Sequence, residues 1–415
     1  MPERPRPALS PGLAPRVIAV LFSAALVAGF GQFGAVASLN DVARHFGHPV
    51  TGHSLQSVVG LSGSVLGLGL AVLRLASLAS LPLTSLADRH GRTKVLRSFL
   101  LFGLLVTAVA SLSPSYWFFV LCFAFARPLL SAASTLVQVV TVELSSTSLR
   151  MHRLVVMSAG AGIGAGLSAV LHGLIRGANS FRWLFALALV PALLIPPLMK
   201  RVPEPERRRA ETPLVRLGTI PRGVRGRLGI VAAIAFAIGM ITGPANGFAF
   251  VYGEGVLKIS PHFVATVVAL SAFTGLGGLL LSRWLSRSIG RRWTVAIGVV
   301  SSALTSVFAY SGGTTSFLLG YMSGVAAAGL LAPAATAIST EIFSHGFRAT
   351  AAGWVVVAGV LGATAGLFLF GLIGDITHVS GVTSLRLPAL LTFLPLTPTI
   401  LLLQRLPESA RAELH

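Results

Sequence analysis

The chain has 415 residues, of which 54% are hydrophobic and 11% charged, with a mean hydropathy of +0.82 and a formal net charge of +20. So little polar surface cannot coat a soluble globule of this size, which places the chain in a membrane. Its single cysteine, Cys122, falls in an apolar run, which leaves no intrachain disulfide and no zinc site.

Taken in chain order, twelve apolar runs read as spans, at about 17–39, 55–82, 96–112, 115–141, 153–175, 182–199, 229–251, 262–282, 293–311, 315–340, 350–374 and 386–403. Most approach the roughly 20 residues that a helix needs to cross about 30 Å of hydrocarbon. Short strands of alternating polarity are missing, so helices are the spanning element. The first run follows MPERPRPALSPGLAPR without a small-residue cleavage site and is too long for a signal-peptide core, so it reads as a retained helix.

Of the 32 Lys and Arg, 25 fall on the side holding both termini, 5 fall on the other side, and two, Arg74 and Arg127, fall within spans. Retention of basic loops predicts a multi-pass protein of the cytoplasmic membrane with both termini in the cytoplasm. The positive charge is then explained by topology and contact with anionic lipid, and nucleic acid is not an expected partner.

The clusters between spans repeat. Leu86, Gly91 and Arg92 in LADRHGRTKVL correspond to Leu285, Gly290 and Arg291 in LSRSIGRRWTV. ELSSTSLR pairs with EIFSHGFR, matching Glu143 with Glu341 and Arg150 with Arg348, and VPEPER pairs with LPESAR. Such duplication predicts two six-helix halves, 1–200 and 229–415, joined by a Pro- and Arg-rich linker over 201–228. Gly91 permits a sharp turn, and Asp88 can accept from Arg92 or from amides at a helix N-terminus.

LADRHGRTKVL resembles the loop 2–3 signature of the major facilitator superfamily, and TEIFSHGFRATAAGW with LPESARAEL resembles its sugar-porter and related metabolite-transporter branches. The resemblance implies an all-α membrane fold of two pseudo-symmetric six-helix bundles working by alternating access. It also implies that Asp88, Gly91 and Arg92 form a polar clasp, Asp88 docking near Ala349 to Gly353 at the start of the eleventh span. Glu143, Arg150 and Glu204 join that clasp, and Arg291, Glu341 and Arg348 form its counterpart, where Arg287 stands in place of the aspartate.

A charge at bilayer depth needs a partner, water or a task. Arg74 and Arg127 lie deep without an acid at the same depth, while Asp41, Glu254 and Asp375 lie at outer ends of spans. ARPLLSAAS resembles the fourth span of sugar porters, whose arginine partners a first-span aspartate; here AGFGQFGA offers Gln32. TGPANGFAFVY resembles a seventh-span element, giving Asn246 and Tyr252. Gln32, Asp41, Arg74, Arg127, Asn246 and Tyr252 are therefore the substrate or coupling candidates. His172 reads first as a capped or headgroup-facing histidine, with a pH-sensitive role as the alternative.

The expected activity is proton-coupled transport of a small organic metabolite, an anion by preference, by a monomer without cofactor or metal. Two alternatives stand beside it: a proton-coupled exporter of amphipathic compounds, and a membrane sensor that binds without transporting. No arrangement of paired carboxylates or Ser-His-Asp at depth suggests an enzyme.

Overall fold

The computed structural model describes residues 14–51, 54–146, 149–175, 177, 179–205, 222–343, 348–376 and 384–406. Among the described residues, twelve helices are long and apolar enough to cross a membrane. In the first half they are span 1 (Pro15–Ala37), span 2 (Gly63–His90), span 3 (Arg92–Leu112), span 4 (Tyr116–Glu143), span 5 (His152–Leu174) and span 6 (Ser180–Met199). In the second half they are span 7 (Arg225–Gly247), span 8 (Pro261–Ser288), span 9 (Arg291–Ala309), span 10 (Thr314–Ile338), span 11 (Thr350–Ile376) and span 12 (Arg386–Arg405). No strand occurs among the described residues, as hydrocarbon demands of a backbone that must satisfy its own polar groups.

Local chemistry sets the helix ends. Ser62, Ser115 and Ser260 accept from an amide in the first turns of spans 2, 4 and 8, satisfying donors that have no intrahelical partner. Pro15 and Pro261 occupy the first turn, where a missing N–H costs nothing.

Three boundaries differ from the hydropathy reading. The second apolar run is broken: Leu55–Val59 is a separate short helix that stops at Gly60, whose φ of 95° ends it, and span 2 starts at Gly63. Span 1 is followed by a second helix, Leu39–Phe46, which carries Asn40 and Asp41. The helix holding span 7 begins at Arg222, inside the linker expected over 201–228, and beyond Gly247 the chain continues into a wide π turn over Val251–Val256. Most of the remaining linker lies outside the described residues.

Matched helix pairs hold each half together, span 1 against span 5 and span 7 against span 11. Glycine brings their backbones into contact: a Cβ on Gly164 would fall 1.8 Å from the carbonyl oxygen of Leu26, and one on Gly362 would fall 2.0 Å from that of Phe236. Close approach of this kind is how helices associate in lipid, where no hydrophobic force separates helix from solvent. Of the four glycines in VVMSAGAGIGAG, Gly160 and Gly164 meet span 1, whereas Gly162 and Gly166 have nothing within 4 Å. Large apolar side chains such as Phe273, Leu280, Trp183 and Trp284 point outward, as a lipid-facing surface requires.

The halves meet along span 2 against span 11 and span 5 against span 8. We call the end of the bundle that carries residues 88–92 the basic end, and the other the far end.

Candidate functional site: a polar-ended cavity between two clusters

At the basic end the two copies of the loop signature build similar knots. Gly91 takes φ 100° between spans 2 and 3, and Gly290 takes φ 93° between spans 8 and 9. Arg92 donates to Asp88 at 3.0 Å and pairs with Glu143. Arg291 pairs with Glu341 in the same manner, although Arg287 replaces the aspartate.

Glu204 completes the first knot. Its carboxylate accepts from the amides of Arg92 and Thr93, the latter at 3.1 Å, so an anion caps the N-terminus of span 3. A Cβ on Gly91 would come within 3.2 Å of this carboxylate, so the glycine serves both the turn and the cap. Arg150 donates through Nε to the carbonyl of Ser145, and the buried Arg153 donates to the Ser145 hydroxyl at 3.0 Å.

The expected docking of Asp88 on span 11 is not what this conformation shows. Asp88 bonds within the first half, and a Cβ on Gly353 would meet nothing within 4 Å. The described contacts of Asp88 do not include span 11. The Arg348 side chain and the LPESARAEL repeat beyond Leu406 lie outside the described residues.

The far end is the reverse. Asp375 of span 11 accepts from the amides of Gly63 and Ser64 at 2.6 and 2.8 Å, capping the start of span 2 from the opposite half. Just below, a Cβ on Gly371 would lie 2.0 Å from the carbonyl oxygen of Gly63, and one on Gly67 would lie 2.4 Å from that of Leu367.

A largely buried chain of two acids and a histidine lies beside them. His172 Nε2 is 2.9 Å from Glu254 Oε1, and its Nδ1 is 3.6 Å from Asp41 Oδ2. Asn40 donates to the second oxygen of Glu254 at 3.2 Å, and Ser180 donates to Asp41. Burial pushes the Glu254 carboxyl above its usual range, opposed by the bonds from His172 and Asn40. Donor atoms of Asp41, His172 and Glu254 lie within 4.8 Å of one another. Each imidazole nitrogen faces its own carboxylate, so they do not converge on one point as a metal site would require. The headgroup-facing reading of His172 is thus corrected: the side chain is 1% exposed.

Between the ends, in the basic-end half of the second bundle, lies a cavity of about 470 Å³. Spans 7, 10 and 11 supply mostly apolar walls, including Ile234, Ile238, Leu331 and Val356, relieved by Thr242 and Thr336. Arg74 lines it from the first half. Arg127 is near enough to feel the Arg74 charge, and it donates to the carbonyl of Gln32 at 3.3 Å. Gln32 in turn donates to Ser134 at 3.0 Å and so fastens span 1 to span 4.

A second cavity of about 260 Å³ is lined by Asn246, Thr242 and Tyr321, and the Tyr321 hydroxyl donates to Asn246. Tyr252 lines neither cavity; it packs among Tyr310 and Phe317 and is fully buried. Asp41 belongs to the far-end cluster. The structure therefore brings Arg74 to the larger cavity and Arg127 and Gln32 together beside it, and sends Asp41 and Tyr252 elsewhere.

Residues 21–287 match the family profile described as Major Facilitator Superfamily. The chain belongs to the major facilitator superfamily. As a member it is a multi-pass membrane transporter of small metabolites, and it is not an enzyme. Among curated relatives, a 3-(3-hydroxy-phenyl)propionate transporter of Escherichia coli (strain K12) is 29% identical over 323 residues, covering 74% of this chain and 77% of that protein.

Solved structures share the superfamily fold at low identity. A bacterial homolog of the human lysosomal transporter Spinster, inward-facing and occupied, has a TM-score of 0.75 at 13% identity, covering 94% of this chain and 97% of its own. The inward-open xylose transporter XylE from E. coli gives 0.70 at 17% identity with 96% and 99% covered. The nucleoside transporter NupG gives 0.72 at 13% identity with 93% and 98% covered.

Sequence reasoning missed Thr242, Thr336 and Tyr321 on the cavities and the partnership of His172 with Glu254. Hydroxyls scattered through apolar helices give no linear pattern, and the two partners of the far-end pair stand 82 residues apart.

Proposed function

We propose that the transported solute is a small organic anion with an apolar, aromatic body, carried across the cytoplasmic membrane with proton coupling. The observation that carries this reading is Arg74, a lone cation on the wall of an otherwise apolar cavity, with Arg127 reinforcing its field. A guanidinium binds a carboxylate at two points, and the low dielectric strengthens the bond. The relative named for a phenylpropionate, an aromatic carboxylate, has the matching chemistry. The basic end faces the cytoplasm on the strength of its Lys and Arg content, which makes this conformation inward-open.

Uptake into proteoliposomes under an imposed pH gradient tests the proposal. Aromatic carboxylates should accumulate in preference to neutral sugars, and collapsing the gradient should stop accumulation. Arg74→Ala should weaken carboxylate binding by about tenfold or more, since a charged hydrogen bond is worth about 1.5–3 kcal/mol. Equal uptake of sugars, or unchanged affinity in the folded variant, defeats the anion reading. The apolar walls favour a second reading, export of amphipathic compounds. It predicts cationic or neutral substrates moving outward without regard to Arg74. A reporter fused after Arg225 should be cytoplasmic and one near Lys258 external; reversed labelling overturns the orientation.

A further inference from the structure

The far-end chain of Asp41, His172 and Glu254 lines neither cavity, and it joins elements of both halves. Asp41 and Asn40 come from the helix Leu39–Phe46, His172 from span 5, and Glu254 from the turn after span 7. Opening the far end therefore pulls Glu254 away from the other three.

The contacts favour a charged ring between two ionised acids. Glu254 accepts through one oxygen from Asn40 Nδ2 and faces His172 through the other, and Asp41 accepts from Ser180. Both carboxylates act as acceptors, which is how ionised carboxylates behave. A neutral imidazole carries hydrogen on one nitrogen only, so one of the two carboxylates would face a lone pair. An imidazolium carries hydrogen on both: Nε2 meets Glu254 at 2.9 Å, and Nδ1, which has no hydrogen-bond partner, faces Asp41 across 3.6 Å as a charge contact. His172 and Glu254 are 1% and 4% exposed, so water cannot make up a missing charge at their contact, whereas Asp41 is 23% exposed.

Among the described residues, no other cation is paired with the ring. Phe250 meets the imidazole edge-on at 5.6 Å between centroids. The Arg182 guanidinium is engaged with His45 and with the carbonyls of Ser111 and Ser113. His262 on span 8, whose backbone adjoins Gly173, has an exposed side chain.

We propose that the His172 ring is a proton-binding site of the closed outer gate: closure captures a proton between Glu254 and Asp41, and opening releases it to the external water. Acidity at the outer face then favours the inward-open conformation, and alkalinity favours the outward-open one. The proposal rests on the alternating-access reading and its orientation but not on the identity of the substrate.

Distances between spin labels in lipid nanodiscs test it. One pair is placed on cysteines replacing Val50 and Phe263 at the far end, in a Cys122→Ser background, and a second pair on cysteines replacing Arg89 and Arg287 at the basic end. Without substrate, lowering the pH from about 8 to about 5, the range in which an imidazole changes charge, should raise the closed fraction at the far end. One captured proton permits up to about tenfold per pH unit.

His172→Gln should flatten this dependence, and Glu254→Gln should move its midpoint to lower pH. A flat response in the labelled, otherwise unaltered protein overturns the proposal. So does an unchanged pH response in folded His172→Gln or, should that variant fail to fold, in Glu254→Gln. If the two ends exchange open and closed populations without regard to pH, the proton site fails and alternating access stands. If neither pair changes distance under any condition, both fall.

Discussion

At the basic end, Asp88, Glu143 and Glu204 bind partners within the first half, and Glu341 binds Arg291 within the second. At the far end, Asp375 and Glu254 reach across to Gly63, Ser64, His172 and Asn40 in the other half. The same residue types thus do two mechanical tasks. Bonds inside a half make it a rigid body; bonds between halves hold one gate shut. In this conformation the basic end has only the first kind described for its acids, and the larger cavity lies on that side.

The largest effect should come from breaking the far-end contact sterically. Gly67→Leu places a side chain where the carbonyl of Leu367 already stands. Overpacking costs about 1–3 kcal/mol, so the far-end-closed population should fall by roughly 5- to 150-fold. The protein should stay outward-open with transport nearly lost. Unchanged uptake would show that the gate need not close tightly.

Asp88→Asn probes the opposite conformation. If Asp88 docks on the start of span 11 when the basic end closes, the amide should cut transport by about tenfold, a typical coupling between states. Losing an exposed pair with Arg92 is worth less than about 1 kcal/mol, so the melting temperature should barely move. Full transport in the variant removes the clasp.

Much of this contrast was legible in the sequence, and its limits are physical. Hydropathy marks spans because each must bury a full turn-by-turn length in lipid, so the twelve runs were readable. Breaks governed by one backbone angle, such as Gly60, were not. The knots of Asp88, Arg92 and Glu143 showed themselves because duplicated loops keep their spacing. Arg74 and Arg127 stood out as charges at depth. His172 did not, since a solitary histidine near a helix end has many ordinary explanations and the nearer of its two acids lies in the other half. Tyr252 was a substrate or coupling candidate on local pattern, whereas the π turn that follows span 7 places it in an aromatic cluster.

A gentler test concerns the same far-end contact. Asp375→Asn keeps the shape but removes the anion from the N-terminus of span 2, an interaction worth about 0.3–1 kcal/mol. Far-end opening should increase by roughly two- to fivefold by label distance, and no change would assign the sealing to glycine packing alone. The smallest effect is expected from Glu204→Gln, whose remaining oxygen still accepts from an amide. It should lower the melting temperature by about 1–2 °C and leave the gate equilibrium untouched, because Glu204 serves only its own half.

The Asp375 contact has a genetic corollary. Its partners on span 2 are main-chain amides, present whatever side chains occupy positions 63 and 64, so the bond has one mutable member and no side chain with which to co-vary. Revertants selected from an Asp375→Asn strain therefore cannot arise by exchanging a partner charge. They should map to other places where the halves touch at the far end, or to changes that loosen the basic end by a matching amount, and their positions would chart which contacts weigh against one another in the transport cycle.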